Sequence, residues 1–417
     1  MGMSRTNVLL LTACAALDTT AQLSPLPLDT LVDLDRGWGH VVSLSASSDY
    51  NANTVYNELP VGIYRGGYLD NDLRQRSLNA LTSDRNTAGY LLEGRINWTG
   101  PVCFPKIPRW RPVVSIAHHD VGGTRFTEDQ YALAFFGNAD YEDQKAILAP
   151  SAYQQVRYQT LGAGLQHVAS NSFLRFDLVR GQSYAAADVQ WASLFTGEDG
   201  RVLRTTFLGD YYASDTAGSG FDRTNGLGVA ASARWNTHFK LGARGIDLGV
   251  GVEDFGFVRW NANSVRIQQD TLFTYSGWAV DNIFALDNVI IGEDELLDTL
   301  GLRYESGEFT RLLPFRANID ATMRLGGSWR IGLGIEQRYL PGYVPQMTVM
   351  GSRRVGPRTL LAATASYGGF GALRIGLAAK RRFGERLLVS LSTPHVPGFF
   401  MRRTRGLGLM AGIEFAF

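Results

Sequence analysis

The sequence predicts an all-β fold: a transmembrane antiparallel β-barrel of about 14–16 strands, with short helical insertions and an N-terminal segment read as a lead-in or plug. Three observations carry this. Long stretches of the 417 residues alternate strictly between apolar and polar side chains; the polar positions are crowded with glycine, of which there are 47; and no stretch is a continuous apolar run long enough for a membrane helix. A helix needs roughly 20 apolar residues to span a bilayer, whereas a closed barrel crosses with short strands because closure pairs every backbone group.

The clearest strands lie in the second half. Phe315, Ala317, Ile319, Ala321, Met323 and Leu325 alternate with Arg316, Asn318, Asp320, Thr322 and Arg324. After a Gly326-Gly327-Ser328 turn, Trp329, Ile331, Leu333 and Ile335 alternate with Arg330, Gly332, Gly334 and Glu336, which reads as a hairpin with one oily face. A soluble sandwich also alternates, so the direction of the oily face must be decided. In a sandwich the bulky face turns inward against a second sheet. Here the polar face is the one filled with small residues, as expected where side chains converge inside a cylinder. The strands are also longer than the globular mode of about 5–6 residues.

Strands are expected near 88–99, 111–122, 155–168, 171–182, 184–196, 201–214, 226–238, 242–258, 266–276, 315–327, 329–340, 344–354, 358–368, 371–382, 385–393 and 404–417. Residues 1–21 read as a secretory signal: Arg5, then an apolar run from Val8 to Leu17, then Thr19-Thr20-Ala21 before Gln22. Leu11-Thr12-Ala13-Cys14 also fits a lipobox, so Cys14 is either lipidated or removed. Residues 22–87 are assigned to the lead-in or plug, with His40–Ala46 as an alternative first strand, and residues 88–417 to the barrel. Thr127-Glu128-Asp129-Gln130 is a capping box that predicts a short helix ending at Gly137. A second helix is expected around Glu293–Leu302, within an insertion at 277–314. Trp98, Trp110, Trp235, Trp260, Trp278 and Trp329 fall near strand ends, where an interfacial aromatic belt would place them.

Composition excludes several functions. Basic and acidic residues number 40 and 39, with no basic block, which argues against nucleic acid as a partner. Cys14 and Cys103 give no metal spacing, and His40, His167, His238 and His395 are scattered. The acidic cluster Asp287, Glu293, Asp294, Glu295 and Asp298 lacks the ligand spacing of a calcium loop. Ser115, His118, His119 and Asp120 lie together, but neighbours on a strand face opposite ways and no nucleophile elbow accompanies them. No enzyme, cofactor or metal is expected.

The inward charges are the candidate functional residues: Arg316, Asp320, Arg324, Arg330, Glu336, Arg338, Arg374, Lys380 and Glu414. Unpaired charges in a dry cavity cost several kcal/mol each, so a wet passage or a docked plug is expected around them. At the end of the chain, Leu407, Leu409, Ala411, Ile413 and Phe415 share one face and Gly406, Gly408, Gly412 and Glu414 the other. The ending Gly412-x-x-Phe415-x-Phe417 resembles the C-terminal signal that bacterial barrel-assembly machinery recognises, with Met410 in place of the usual polar residue. Together with the string Gly249–Trp260, the Phe136-Gly137-Asn138 step and the Ala21-Gln22 junction, it makes the chain resemble a family of outer-membrane barrels from Bacteroidota. That family is distantly similar to FadL-type channels and to barrel accessories of type IX secretion. The resemblance implies outer-membrane lipid as the surroundings and a channel or uptake role for small, hydrophobic molecules. The alternative it leaves open is a structural partner of a secretion or surface-attachment complex, docking through loops 277–314 or 394–403.

Overall fold

The computed structural model describes residues 39–66, 69–103, 110–198, 202–215, 220–242, 244–276, 305–401 and 403–417. They form a closed barrel of 14 antiparallel strands. In chain order the ring contains β1 (Val41–Ala52), β2 (Asn86–Thr99), β3 (Trp110–Phe126), β5 (Ser151–His167), β6 (Phe173–Thr196), β8 (Gly226–Leu241) and β9 (Arg244–Trp260). It continues through β13 (Arg316–Gly326), β14 (Trp329–Arg338), β15 (Val344–Val355), β16 (Thr359–Gly369), β17 (Gly371–Phe383), β18 (Leu387–Thr393) and β19 (Gly406–Ala416). The seam closes where β1 pairs with β19, Val41 opposite Ala416 and Asn51 opposite Gly406.

The remaining strands extend one end of the ring. β4 (Gln144–Ile147) and β7 (Leu203–Ala213) pair with the outer half of β6, β10 (Val265–Ser276) pairs with β7, β11 (Glu305–Ser306) with β10, and β12 (Phe309–Leu312) with the tip of β9. Fourteen strands fall within the expected 14–16, but several of the sixteen expected stretches are reassigned. The stretches 171–182 and 184–196 are one strand, β6, because a bulge opposite Arg157 and Tyr158 lets the alternation restart without a turn. The stretches 201–214 and 266–276 lie above the ring. Val41–Ala52, inside the segment assigned to a lead-in or plug, is a barrel strand between β19 and β2. The barrel boundary thus lies at residue 41 rather than 88. The signal at 1–21, residues 22–38 and the helix near 293–302 fall outside the described residues.

Each strand turns its apolar side outward, and adjacent residues show how sharply: Asp177 is 2% exposed and its neighbour Leu178 is 66% exposed. Leu161, Phe176, Leu227, Leu333, Val349, Leu373 and Ile375 continue this exposed apolar surface around the ring. A surface of this size left to water would be an aggregation hazard, and it suits a lipid surround. Trp235 and Trp329 stand on it, but Trp260 is 1% exposed and points into the bore, which removes it from the expected belt. Trp278 lies outside the described residues. Cys103 is an exposed free thiol.

The two ends differ. At the turn end, near His40 and Phe417, connections are short, and Gly356 and Gly384 take φ of 69° and 62°, a left-handed conformation that costs glycine nothing. At the loop end most connections are long, and among the described residues they carry three α-helices: α1 (Glu58–Arg65), α2 (Asn71–Leu78) and α3 (Glu128–Phe136). α1 and α2 arise where the sequence reading placed no helix, with the Asp70 side chain accepting from the Leu73 amide to start α2. α3 has the reciprocal cap its sequence predicts: Thr127 Oγ1 accepts from the Gln130 amide at 3.2 Å, and the Gln130 side chain accepts from the Thr127 amide at 3.1 Å. Thr127→Ala should cost the helix about 1 kcal/mol, read as faster hydrogen exchange at Gln130 and Tyr131; unchanged protection would mean that packing of Tyr131 alone holds α3.

Candidate functional site, a charged septum across the lumen

The inward positions of the strands carry charge at mid-height and aromatic residues above it. Glu93 and Arg95 come from β2, His119 from β3, Tyr158 from β5, Arg175 and Asp177 from β6, Glu253 and Asp254 from β9, Arg316 from β13, and Glu336 and Arg338 from β14. Arg95, His119, Tyr158, Arg175, Asp177, Asp254, Arg316, Glu336 and Arg338 are each less than a tenth exposed.

Two classes of contact join them. Along one stretch of wall the pairs are close: Arg175 Nε donates to Asp177 at 2.8 Å, Arg338 Nε to Glu336 at 2.9 Å, and Arg316 Nη2 to Glu253 at 2.5 Å. Between separated strands the pairs are longer: Arg95 to Glu253 at 3.7 Å, His119 Nε2 to Asp254 at 3.7 Å, Arg175 to Asp254 at 3.8 Å, and Arg338 to Glu93 at 3.9 Å. The last of these decides the shape of the bore. Following the ring, six strands separate β2 from β14 in either direction, so Glu93 and Arg338 start from opposite walls. Eight strands already give an interior that side chains just fill, and width grows with strand number. For side chains to touch across fourteen, the barrel must be flattened at this level. The charges thereby compensate one another, a third outcome beside the wet passage and the docked plug that their inward positions suggested.

Glu253 and Asp254 are consecutive, and strict alternation would send one of them into the lipid-facing surface. A register shift prevents this: between Ala231 and Ala233 of β8 the partner on β9 jumps from Phe255 to Val252. Asp254 sits at φ 56°, an unusual conformation for a non-glycine residue, and both carboxylates end up inside. The Ser232 hydroxyl receives the Asp254 amide at 3.1 Å, and the Tyr158 hydroxyl donates to the Asp254 carboxylate at 3.3 Å.

The candidate residues named from sequence divide into those on the septum and those beside it. Arg316, Glu336 and Arg338 belong to it. Asp320 is buried and accepts from Arg234 Nη2 at 2.6 Å, and Arg374 makes two bonds to Asp49 at 2.9 and 2.8 Å. Lys380 and Glu414 pair at 3.3 Å near the turn end, where Arg330 is also buried, 3.9 Å from Asp247. Arg324 is corrected: it faces the bore by alternation, but it lies beside the Gly326-Gly327 turn and is exposed there. In the ending, Gly412 is buried and Phe415 and Phe417 are exposed; the His40 ring stacks between Trp98 and Phe417 at 5.8 and 5.4 Å.

Sequence reasoning missed Glu93, Arg95, Arg175, Asp177, Glu253 and Asp254. The signal for the first two was present, since Glu93, Arg95 and Asn97 alternate with Leu92, Gly94, Ile96 and Trp98. His118 and His119 do face opposite ways: His119 is in the septum, and His118 meets Phe221 on the outer wall at 5.2 Å.

Above the septum the bore becomes a protein core. Trp260, Tyr184, Tyr212, Phe309 and Leu313 pack with Val121, Val156 and Val179, and the Arg311 guanidinium lies 3.6 Å from the centre of the Tyr212 ring. Beside the septum a cavity of about 70 Å³ is lined by Asp49, Arg316, Glu336, Arg338, Phe370 and Arg374. In the outer loop nearby, burial and then the Arg374 charge push the His395 imidazole below its usual pKa. Among the described residues no three His, Cys, Asp or Glu side chains are placed to hold a metal ion.

No curated protein resembles the chain in sequence. Among solved structures, a deltaS2S3 mutant of the monoaromatic hydrocarbon channel TodX aligns over 92% of each chain at 10% identity, with a TM-score of 0.46. The Ralstonia pickettii toluene transporter TbuX aligns over 91% of this chain and 90% of its own at 8% identity and a TM-score of 0.40. The translocator domain of the autotransporter NalP from Neisseria meningitidis aligns over 93% and 91% at 8% identity and 0.33. The model for DUF5723, a family of unknown function, matches residues 117–388, from the middle of β3 to the start of β18, and the chain belongs to that family.

Proposed function

We propose that this protein is an outer-membrane barrel of a Gram-negative bacterium that admits small molecules through a bore held shut by the septum. The short-turn end, with Phe417, would face the periplasm and the loop end the outside, as in barrels of this architecture. Recognition of Gly412, Phe415 and Phe417 by the assembly machinery, removal of residues 1–21 and a source in Bacteroidota are parts of the same proposal. So is a preference for hydrophobic molecules, which the aromatic lining of the outer half favours.

The observation that carries the reading is the difference between the two classes of contact. Parting the walls would break ion pairs of 3.7–3.9 Å and the Tyr158–Asp254 hydrogen bond, while Arg175, Arg338, Glu253 and Glu93 each keep a partner on their own side at 2.5–3.2 Å. The large cost of breaking a buried ion pair is the charge left without a partner, and most septum charges keep one when the walls part.

Arg95 and Asp254 are the exceptions: the ion pair of Arg95 with Glu253 and those of Asp254 with His119 and Arg175 all join separated strands. Arg95→Gln should therefore loosen the septum. In planar bilayers the native barrel should conduct weakly, and the variant should open several-fold more often; identical silence from both would count against a gated passage.

A second reading, non-enzymatic docking in a secretion or surface-attachment complex, is favoured by the outer loop 394–403. Its tip presents Phe399, Phe400 and Met401 to solvent, Phe400 at 82% exposure. Co-purification of a large membrane partner that is lost on Phe400→Ser, together with silence in bilayers, would support it.

A further inference from the structure

We propose that His119 is a proton-operated latch of the septum, tightening the bore in acid and loosening it near neutrality; this rests on the gated reading above. Among the described residues His119 is the one histidine that stands between carboxylates of two separated wall segments. Its Nδ1 lies 3.2 Å from Glu93 on the adjoining strand β2, and its Nε2 faces Asp254 on β9, with three strands between them around the ring, at 3.7 Å without a hydrogen bond. The ring is 1% exposed and lies flat on Tyr158, with centroids 4.4 Å apart and planes at 8°, so it cannot swing away to another partner.

The proton count follows from imidazole chemistry. A neutral imidazole carries one N–H and can donate to only one of the two carboxylates; the imidazolium carries two and can donate to both. Taking up one proton from solvent therefore adds one charge-assisted link between the walls, and losing it removes that link.

Every element packed around the ring bears on the outcome. β2 presents Glu93 and Arg95, β5 presents Tyr158, β6 presents Arg175 and Asp177, β9 presents Glu253 and Asp254, and β14 presents Arg338 to the same Glu93 oxygen. The three guanidiniums already have carboxylate partners and carry their charge throughout the accessible range. Of the groups around the ring, the imidazole is the one whose two protonation states differ in how many carboxylates it can donate to. His118 is an internal control, since it lies on the outer wall against Phe221.

The experiment compares the native barrel, His119→Gln and His118→Gln in planar bilayers at pH 5.5 and pH 8, each also in the Arg95→Gln background to raise the baseline current. Conductance of the native barrel and of His118→Gln should fall several-fold at pH 5.5, and that of His119→Gln should not change. A His119→Gln barrel that keeps the pH response, or a conducting native barrel without one, overturns the latch. If none of the proteins conducts at either pH, the gated reading fails, and the latch is then judged on thermal unfolding in detergent micelles. There the native barrel should gain stability from pH 8 to pH 5.5 relative to His119→Gln, and equal shifts overturn it.

Discussion

Replacing Glu253 by alanine is expected to destabilise the barrel by about 3–5 kcal/mol, the usual cost of leaving a buried charge without its partner. Glu253 accepts from Arg316 Nη2 at 2.5 Å and stands 3.7 Å from Arg95, so one substitution takes a carboxylate from two guanidiniums, both less than a tenth exposed. Arg316 retains Glu336 at 3.8 Å, whereas Arg95 retains no ion pair among the described residues. Urea unfolding in micelles measures the loss. Glu253→Gln should recover part of it, because an amide oxygen still accepts a hydrogen bond although it brings no charge. A Glu253→Ala barrel within 1 kcal/mol of the native one would mean that water reaches both guanidiniums, and the septum would then not be dry.

Trp260→Ala should cost a similar amount, about 3–5 kcal/mol, for a different reason. The indole is 1% exposed inside the bore, with its ring centroid 5.4 Å from that of Tyr184 and 6.4 Å from that of Phe309. The backbone of Gly181 approaches so closely that a Cβ there would lie 2.8 Å from the indole. Those neighbours belong to paired strands and cannot collapse into the space, so the cavity term adds to the lost burial. Trp260→Phe should keep most of the stability. If the bore is a gated passage, Trp260→Ala should also raise conductance, because it removes the largest side chain above the septum. Loss of stability with no change in current would leave Trp260 as core alone.

Much of the barrel is legible because its governing pattern is local. In a strand, side chains alternate faces at a period of two whatever the partner. The runs 315–327, 329–340 and 371–382 therefore show their lipid-facing and inward sides without any knowledge of pairing. The same rule placed Arg316, Asp320, Glu336, Arg338, Arg374, Lys380 and Glu414 inside, and it separated His118 from His119. The capping box at Thr127 is equally local, since its bonds close within three residues.

The rule fails where alternation is interrupted or where an element's place depends on remote chain. It cannot see that the bulge at Asp254 turns two consecutive acids inward, since the shift depends on how β8 lies beside β9. Arg324 obeys it and is still exposed, because burial depends on height in the barrel as well as on face. β7 and β10 read as membrane strands, yet they pair with each other above the ring, and of Val41–Ala52 only the His40–Ala46 part shows as an alternative first strand, because Ser48 interrupts its outward apolar side.

The sequence by itself determined that this chain is an alternating, closed-sheet protein with its oily side outward and its charges within. Only the tertiary structure decided that those charges meet. Contact between Glu93 and Arg338, or between His119 and Asp254, depends on how many strands close the ring and how far it is flattened, and both are properties of the whole sheet that no short stretch of chain encodes.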